Sequence, residues 1–123
     1  MELIIGGAYQ GKRAYAKKAY GMTDADIFTC ADASLETSSR CVEHLERYTL
    51  ACVRAGLDPA EVTDVDALAD KIVICDDISC GVVPIDPIER AWREQTGRLL
   101  TKLSGRASRV VRVFCGLPLE LKG

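Results

Sequence analysis

Gly6-Gly7-Ala8-Tyr9-Gln10-Gly11-Lys12-Arg13 follows the spacing G-x-x-x-x-G-K, and the chemistry of that spacing is the holding of phosphate. Glycines let the backbone wrap an anion, successive N–H groups point inward, a helix N-terminus adds positive potential, and Lys12 reaches the terminal phosphates. Residues 6–13 are therefore read as nucleotide-binding, with GTP or ATP as the implied ligand. Position 13 departs from the pattern, which takes Ser or Thr there to ligate Mg²⁺; a guanidinium cannot bind a cation. Arg13 either contacts phosphate oxygens bidentately or points to solvent from the first helical turn. Any use of Mg²⁺ thus lacks its usual hydroxyl ligand.

Two acids and two arginines complete the candidate set. Asp76 and Asp77 follow the apolar run Ile72-Val73-Ile74-Cys75, and in an open α/β sheet ligands collect beyond the carboxyl ends of strands. Asp77 is assigned with Lys12 to catalysis, polarising a hydroxyl or holding hydrated Mg²⁺; the other reading has both acids capping the next loop. Arg90 and Arg93, three apart, make either a phosphate or substrate clamp or a solvated helix face.

These residues need elements to position them. Glu2 to Ile5 reads as a buried strand that turns at Gly6-Gly7, and Ala14, Tyr15, Ala16 and Ala19 favour a helix after it, stopped at Gly21. Ile27 to Cys30 is a short second strand. From Leu35 to Ala55, Cys41, Leu45, Tyr48 and Cys52, with Val42, Thr49 and Val53, recur at helical period and predict one long amphipathic helix before Gly56 and Pro59. Asp64 to Ala69 forms a short helix or an ordered loop. Ile72 to Cys75 is a β-branched run typical of a parallel strand covered on both faces. Asp86-Pro87-Ile88-Glu89 opens a helix with a capping oxygen, Pro at N1 and Glu at N3; Ile88, Trp92, Leu99 and Leu103 share one side until Gly105. Val110 to Cys115 is a last strand ending at Gly116, and Leu119 to Lys122 turns back as an edge. The alternation predicts an α/β chain, a P-loop NTPase-like three-layer domain over residues 1–123 with a mostly parallel sheet of four to five strands.

Composition excludes other classes. Among 123 residues, 16 Lys and Arg stand against 18 Asp and Glu, a net charge of −2 with no basic footprint for nucleic acid. The longest apolar runs fall far below the roughly 18 residues of a membrane span, and with no secretory signal the expected location is cytoplasmic. Cys30, Cys41, Cys52, Cys75, Cys80 and Cys115 contain no C-x-x-C pair and His44 stands alone, so no metal set is read; the thiols are expected to be reduced and mostly buried, Cys41 and Cys52 sharing one helical face.

The segment from Asp76 onward, DDISCGVVPIDPIERAWREQTGRLL, resembles the N-E-V-G-x-G-I-V-P and R-x-F-R-D-x-x-G region of the adenosylcobinamide kinase/adenosylcobinamide-phosphate guanylyltransferase family. Gly81, Val83, Pro84, Arg90, Arg93 and Gly97 match outright, Trp92 stands at the aromatic position and Glu94 at an acidic one. The closing VFCGLPLELK resembles the family's ending, and the opening resembles its G-G-x-x-S-G-K-S loop. Gln10 and Arg13 replace both hydroxyl residues of that loop, Asp76-Asp77 replace Asn-Glu, Ser79 replaces Gly, Leu100-Thr101 replace Asn-Gln, and the chain is shorter than the family's usual length, the difference falling in its middle. The resemblance implies an ATP- or GTP-dependent transferase of cobalamin biosynthesis that phosphorylates the aminopropanol hydroxyl of a cobinamide corrinoid and then transfers GMP from GTP through a guanylylated His. It implies a homo-oligomer as well. No R-I-x-x-H segment of the family's form is found, so His44, in CVEHLERY, is read as a surface residue and guanylyl transfer as unsupported. A catalytically degenerate nucleotide-binding or regulatory subunit is the alternative.

Overall fold

The computed structural model describes residues 1–78 and 85–123; Ser79, Cys80, Gly81, Val83 and Pro84, which carry part of the resemblance, lie outside the described residues. Strand β1 (Glu2–Gly6) lies between β4 (Ile72–Asp76) and β5 (Arg109–Phe114) and is parallel to both. Beyond β4 the sheet continues in parallel through β3 (Cys41–Glu43) to β2 (Ile27–Thr29), and β6 (Leu117–Lys122) closes the opposite edge antiparallel to β5. Among the described residues the order β2-β3-β4-β1-β5-β6 gives six strands where the sequence predicts four to five, in the mostly parallel α/β arrangement of P-loop proteins.

Successive residues of a strand point to opposite faces, so a strand covered on both sides is apolar throughout. Leu3 joins Val42, Val73, Leu99 and Leu103 in a core under α2 (Leu45–Arg54) and α4 (Pro87–Arg106). Ile4 joins Ala16, Ile74, Val111 and Val113 under α1 (Lys12–Tyr20). These are the three layers.

Helix ends follow their signals. The Asp86 carboxylate accepts the Ile88 N–H at 2.9 Å with Pro87 at the first turn, and α1 stops at Gly21 in the left-handed conformation. Pro59 does more than end α2: it opens a further short helix, α3 (Pro59–Val62), capped by Asp58. Between Asp64 and Ala69 the short-helix alternative holds, as a 3₁₀ turn over Asp66–Leu68. Ile88 does not share the buried side of α4; it sits 41% exposed in the first turn.

The long helix predicted over Leu35 to Ala55 is corrected. Only Leu45–Arg54 is helical, with Leu45, Tyr48, Thr49, Cys52 and Val53 buried as its period requires. Cys41–Glu43 is a strand, because Cys41 and Val42 pair with Ile72 and Val73 of β4. Before it, the Asp32 and Glu36 side chains accept the backbone N–H groups of Ser34 and Ser38, which competes with helix. Cys41 and Cys52 therefore lie on opposite sides of the sheet, not on one helical face. Of the described cysteines, Cys30, Cys41, Cys52 and Cys75 are buried and Cys115 is exposed, all as free thiols. Among the described residues no helix is long and apolar enough to cross a membrane.

Candidate phosphate-binding site

The loop between β1 and α1 is shaped by its glycines. A Cβ on Gly6 would run into the Val113 carbonyl oxygen of β5, and Gly11 sits at φ 91°, where a side chain is strained. Tyr9 also takes a positive φ, 59°, with its ring fully in solvent. Gln10 ties the loop to the β5–β6 turn: its Oε1 accepts the Cys115 N–H at 2.7 Å and its carbonyl the Gly116 N–H at 2.7 Å. A glutamine stands where the family's loop carries serine, and it has a structural task.

Lys12 opens α1 with its side chain turned back under the loop. Its ammonium donates to the Gly7 carbonyl at 2.7 Å and lies 2.7 Å from Asp76 Oδ1, with 7% of the side chain exposed. Asp76 faces Gly6 in register across β1 and β4, so the pair marks the carboxyl ends of adjacent parallel strands. Of the two acids, Asp76 meets Lys12. Asp77, assigned to catalysis from the sequence, gives its N–H to the Gly6 carbonyl at 2.7 Å and sets its carboxylate 3.5 Å from Arg112.

Arg13, half-exposed, meets two acids. Its guanidinium pairs with the buried Glu43 at the end of β3 and, at 2.9 Å, with Asp24; burial lowers and these partners raise its pKa, the Asp24 hydrogen bond most, with a net rise. Lys17 and then Arg13 hold the exposed Asp24 carboxyl down to about 2. Thr29 donates to the same Glu43 oxygen at 2.7 Å. With its guanidinium so engaged, position 13 does not fit a Mg²⁺ ion beside the loop.

His44 is the residue that the sequence misplaces most. It lies at the corner between β3 and α2 at φ 56°, and lines the same cavity, of about 570 Å³, as Ala8–Ala14, Glu43, Arg47, Ile74 and Asp76. Its Nδ1 is 2.8 Å from Oε2 of Glu46, a buried acid in the first turn of α2 whose Oε1 accepts the Asp76 N–H at 2.9 Å. Trp92 Nε1 donates to the Glu46 carbonyl at 2.8 Å and to Thr49 at 3.1 Å. From the sequence, Glu46 is only an acidic neighbour of His44 that would repel a triphosphate; one acid in an amphipathic segment carries no sign that the fold turns it inward. Arg40, four residues before His44, donates instead to the Tyr20 carbonyl. Arg90 and Arg93 lie on the first turns of α4, and neither is among the residues lining the cavity.

No curated protein matches the chain. The family model for cobinamide kinase / cobinamide phosphate guanyltransferase matches residues 58–121, from α3 through β6, leaving the Gly6–Lys12 loop and His44 outside the matched stretch. That stretch is a little over half of the sequence and includes β4 with Asp76, α4 and the β5–β6 hairpin, and on it the chain belongs to this family.

Proposed function

We propose that residues 1–123 act as one domain that binds a purine nucleoside triphosphate, ATP or GTP, against the Gly6–Lys12 loop and transfers its terminal phosphoryl group to a hydroxyl of a cobinamide corrinoid. The observation that carries this is Lys12: a buried ammonium, held at the floor of the cavity between a loop carbonyl and Asp76. Phosphoryl transfer asks mainly for positioning and charge neutralisation, and Lys12 with the N-terminus of α1 supplies both. The acceptor oxygen forms the new P–O bond as the bond to the nucleoside diphosphate breaks. Asp76, being the acid in contact with Lys12, is better placed than Asp77 to take the hydroxyl proton. A second cleft, of about 590 Å³, bordered by Gly11, Ala14, Tyr15, Lys18, Gly116 and Pro118, adjoins the loop on the α1 side and offers a wall for a base. No step is routed through Mg²⁺.

One observation favours a second reading. His44 stands in the cavity wall with Nδ1 engaged by Glu46, which suits a covalent guanylyl on Nε2. Labelled nucleotides separate the readings. With γ-labelled ATP or GTP and cobinamide, label is expected on the corrinoid, and with α-labelled GTP none on the protein. An α-label on the chain that His44→Asn abolishes would move the assignment to guanylyl transfer. Nucleotide binding with no transferred label identifies a degenerate nucleotide-binding subunit, and absence of binding by either nucleotide overturns the proposal.

A further inference from the structure

His44 and Asp76 line the cavity, the buried Glu46 bonds to both, and the three side chains each offer a ligand-type atom, all within 4.8 Å of one another. We propose that these side chains form a binding site for one divalent transition-metal ion, of the Mn²⁺, Fe²⁺, Co²⁺ or Zn²⁺ class. The site is distinct from the hydroxyl position that Arg13 replaces; it shares Asp76 and His44 with the nucleotide readings, so its test is made without nucleotide.

Three observations lead to it. The first is spacing: with metal–ligand bonds of about 2.1 Å, neighbouring donors stand roughly 3 Å apart, and His44 Nδ1 and Glu46 Oε2 are already 2.8 Å apart. The second is charge. Lys12 answers Asp76, and Arg13 answers Glu43. Glu46, with 7% of its side chain exposed, has Arg47 only at the 4.0 Å limit, on a side chain that is 55% exposed, and an imidazole that supplies at most one charge. A buried carboxylate is costly unless a cation meets it. The third is support behind the ligands. The Asp76 N–H fixes Glu46 Oε1, and Trp92 grips the Glu46 carbonyl, so the carboxylate is aimed from both ends. An imidazole with two carboxylates selects a transition metal over Mg²⁺, which prefers oxygen ligands and water.

The test is calorimetric titration of the chelator-stripped, nucleotide-free protein with Mn²⁺, Zn²⁺ and Mg²⁺, and absorption spectroscopy with Co²⁺. One Mn²⁺ or Zn²⁺ per chain is expected, at least tenfold tighter than Mg²⁺, with a Co²⁺ spectrum free of thiolate charge-transfer bands. His44→Asn, which tolerates the left-handed backbone of that corner, and Glu46→Gln, which keeps the acceptor for Asp76 N–H, should each weaken binding at least tenfold with unchanged circular dichroism. Absence of binding, equal affinity for Mg²⁺, unchanged affinity in His44→Asn, or thiolate bands showing that cysteines hold the ion, would overturn the site.

Discussion

Lys12 decides what kind of ligand the cavity can receive, because its ammonium is buried among polar partners and its direction is set before any anion arrives. An entering phosphate must share Lys12 with Asp76. Lys12→Ala is expected to weaken ATP and GTP binding at least tenfold, about 1.4 kcal/mol, in equilibrium titrations; unchanged affinity would remove the phosphate reading of the loop. The reverse truncation tests stability. Asp76→Ala leaves the Lys12 ammonium buried without its carboxylate, and the urea midpoint should fall by on the order of 3 kcal/mol equivalent, whereas equal stability would mean the pair is nearly solvated. At this scale the sequence was partly legible. The loop spacing names Lys12 directly, but it cannot say which of two adjacent acids turns inward, since strand alternation sends Asp76 and Asp77 to opposite sides and the phase depends on pairing with β1. His44 escaped for a related reason: no glycine or proline marks its corner, and its left-handed backbone is imposed by the turn from β3 directly into α2.

The elements tell which local signals suffice. β1, β4 and α4 carry their own signatures, in continuous β-branched runs and in an Asp-Pro start, and the structure forms each within a residue or so of its predicted ends. β3 carries none. Three residues are too few for a period of two to be seen, and Cys41 and Val42 also satisfy a helical period, so only their pairing with β4 reveals the strand. The junction of α2 with α4 depends on polar groups that a hydrophobic pattern does not display. Trp92, Thr49 and Thr96 share hydrogen bonds there, with Thr96 donating to Thr49 at 2.8 Å. Trp92→Phe removes the indole donor while keeping an aromatic ring, and should cost about 1 kcal/mol in urea unfolding as the Glu46 carbonyl keeps the Thr49 hydroxyl but loses the indole. A loss below a few tenths of a kcal/mol would show that water replaces the indole.

On the scale of the whole molecule, the two faces of the sheet are unequally covered toward β6. Phe114 pairs in register with Leu117, and Arg112 with Leu119, so Phe114, Leu117 and Leu119 follow one another on the face that α4 covers elsewhere, yet they are 66%, 71% and 61% exposed. An apolar edge strand of this kind calls for a cover. A homo-oligomer is the expected outcome in light scattering at micromolar concentration, and Leu119→Glu should shift it toward the monomer; a monomeric parent chain would remove the expectation. The interior makes a separate claim about pH. Burial pushes the Cys30 and Cys41 thiols up to about 12, and the Tyr48 hydroxyl likewise to about 12, each above its ordinary value. A raised folded-state value means that the folded chain keeps these groups protonated after the unfolded chain has begun to ionise them. Their contribution is therefore complete below about pH 9, near the free thiol value, and is lost as pH rises toward 12. The urea midpoint should hold level with respect to these groups up to about pH 9 and fall beyond it, with Cys30→Ala and Cys41→Ala each making the alkaline limb shallower. An alkaline limb of equal slope in both variants would place the responsible ionisation elsewhere in the chain.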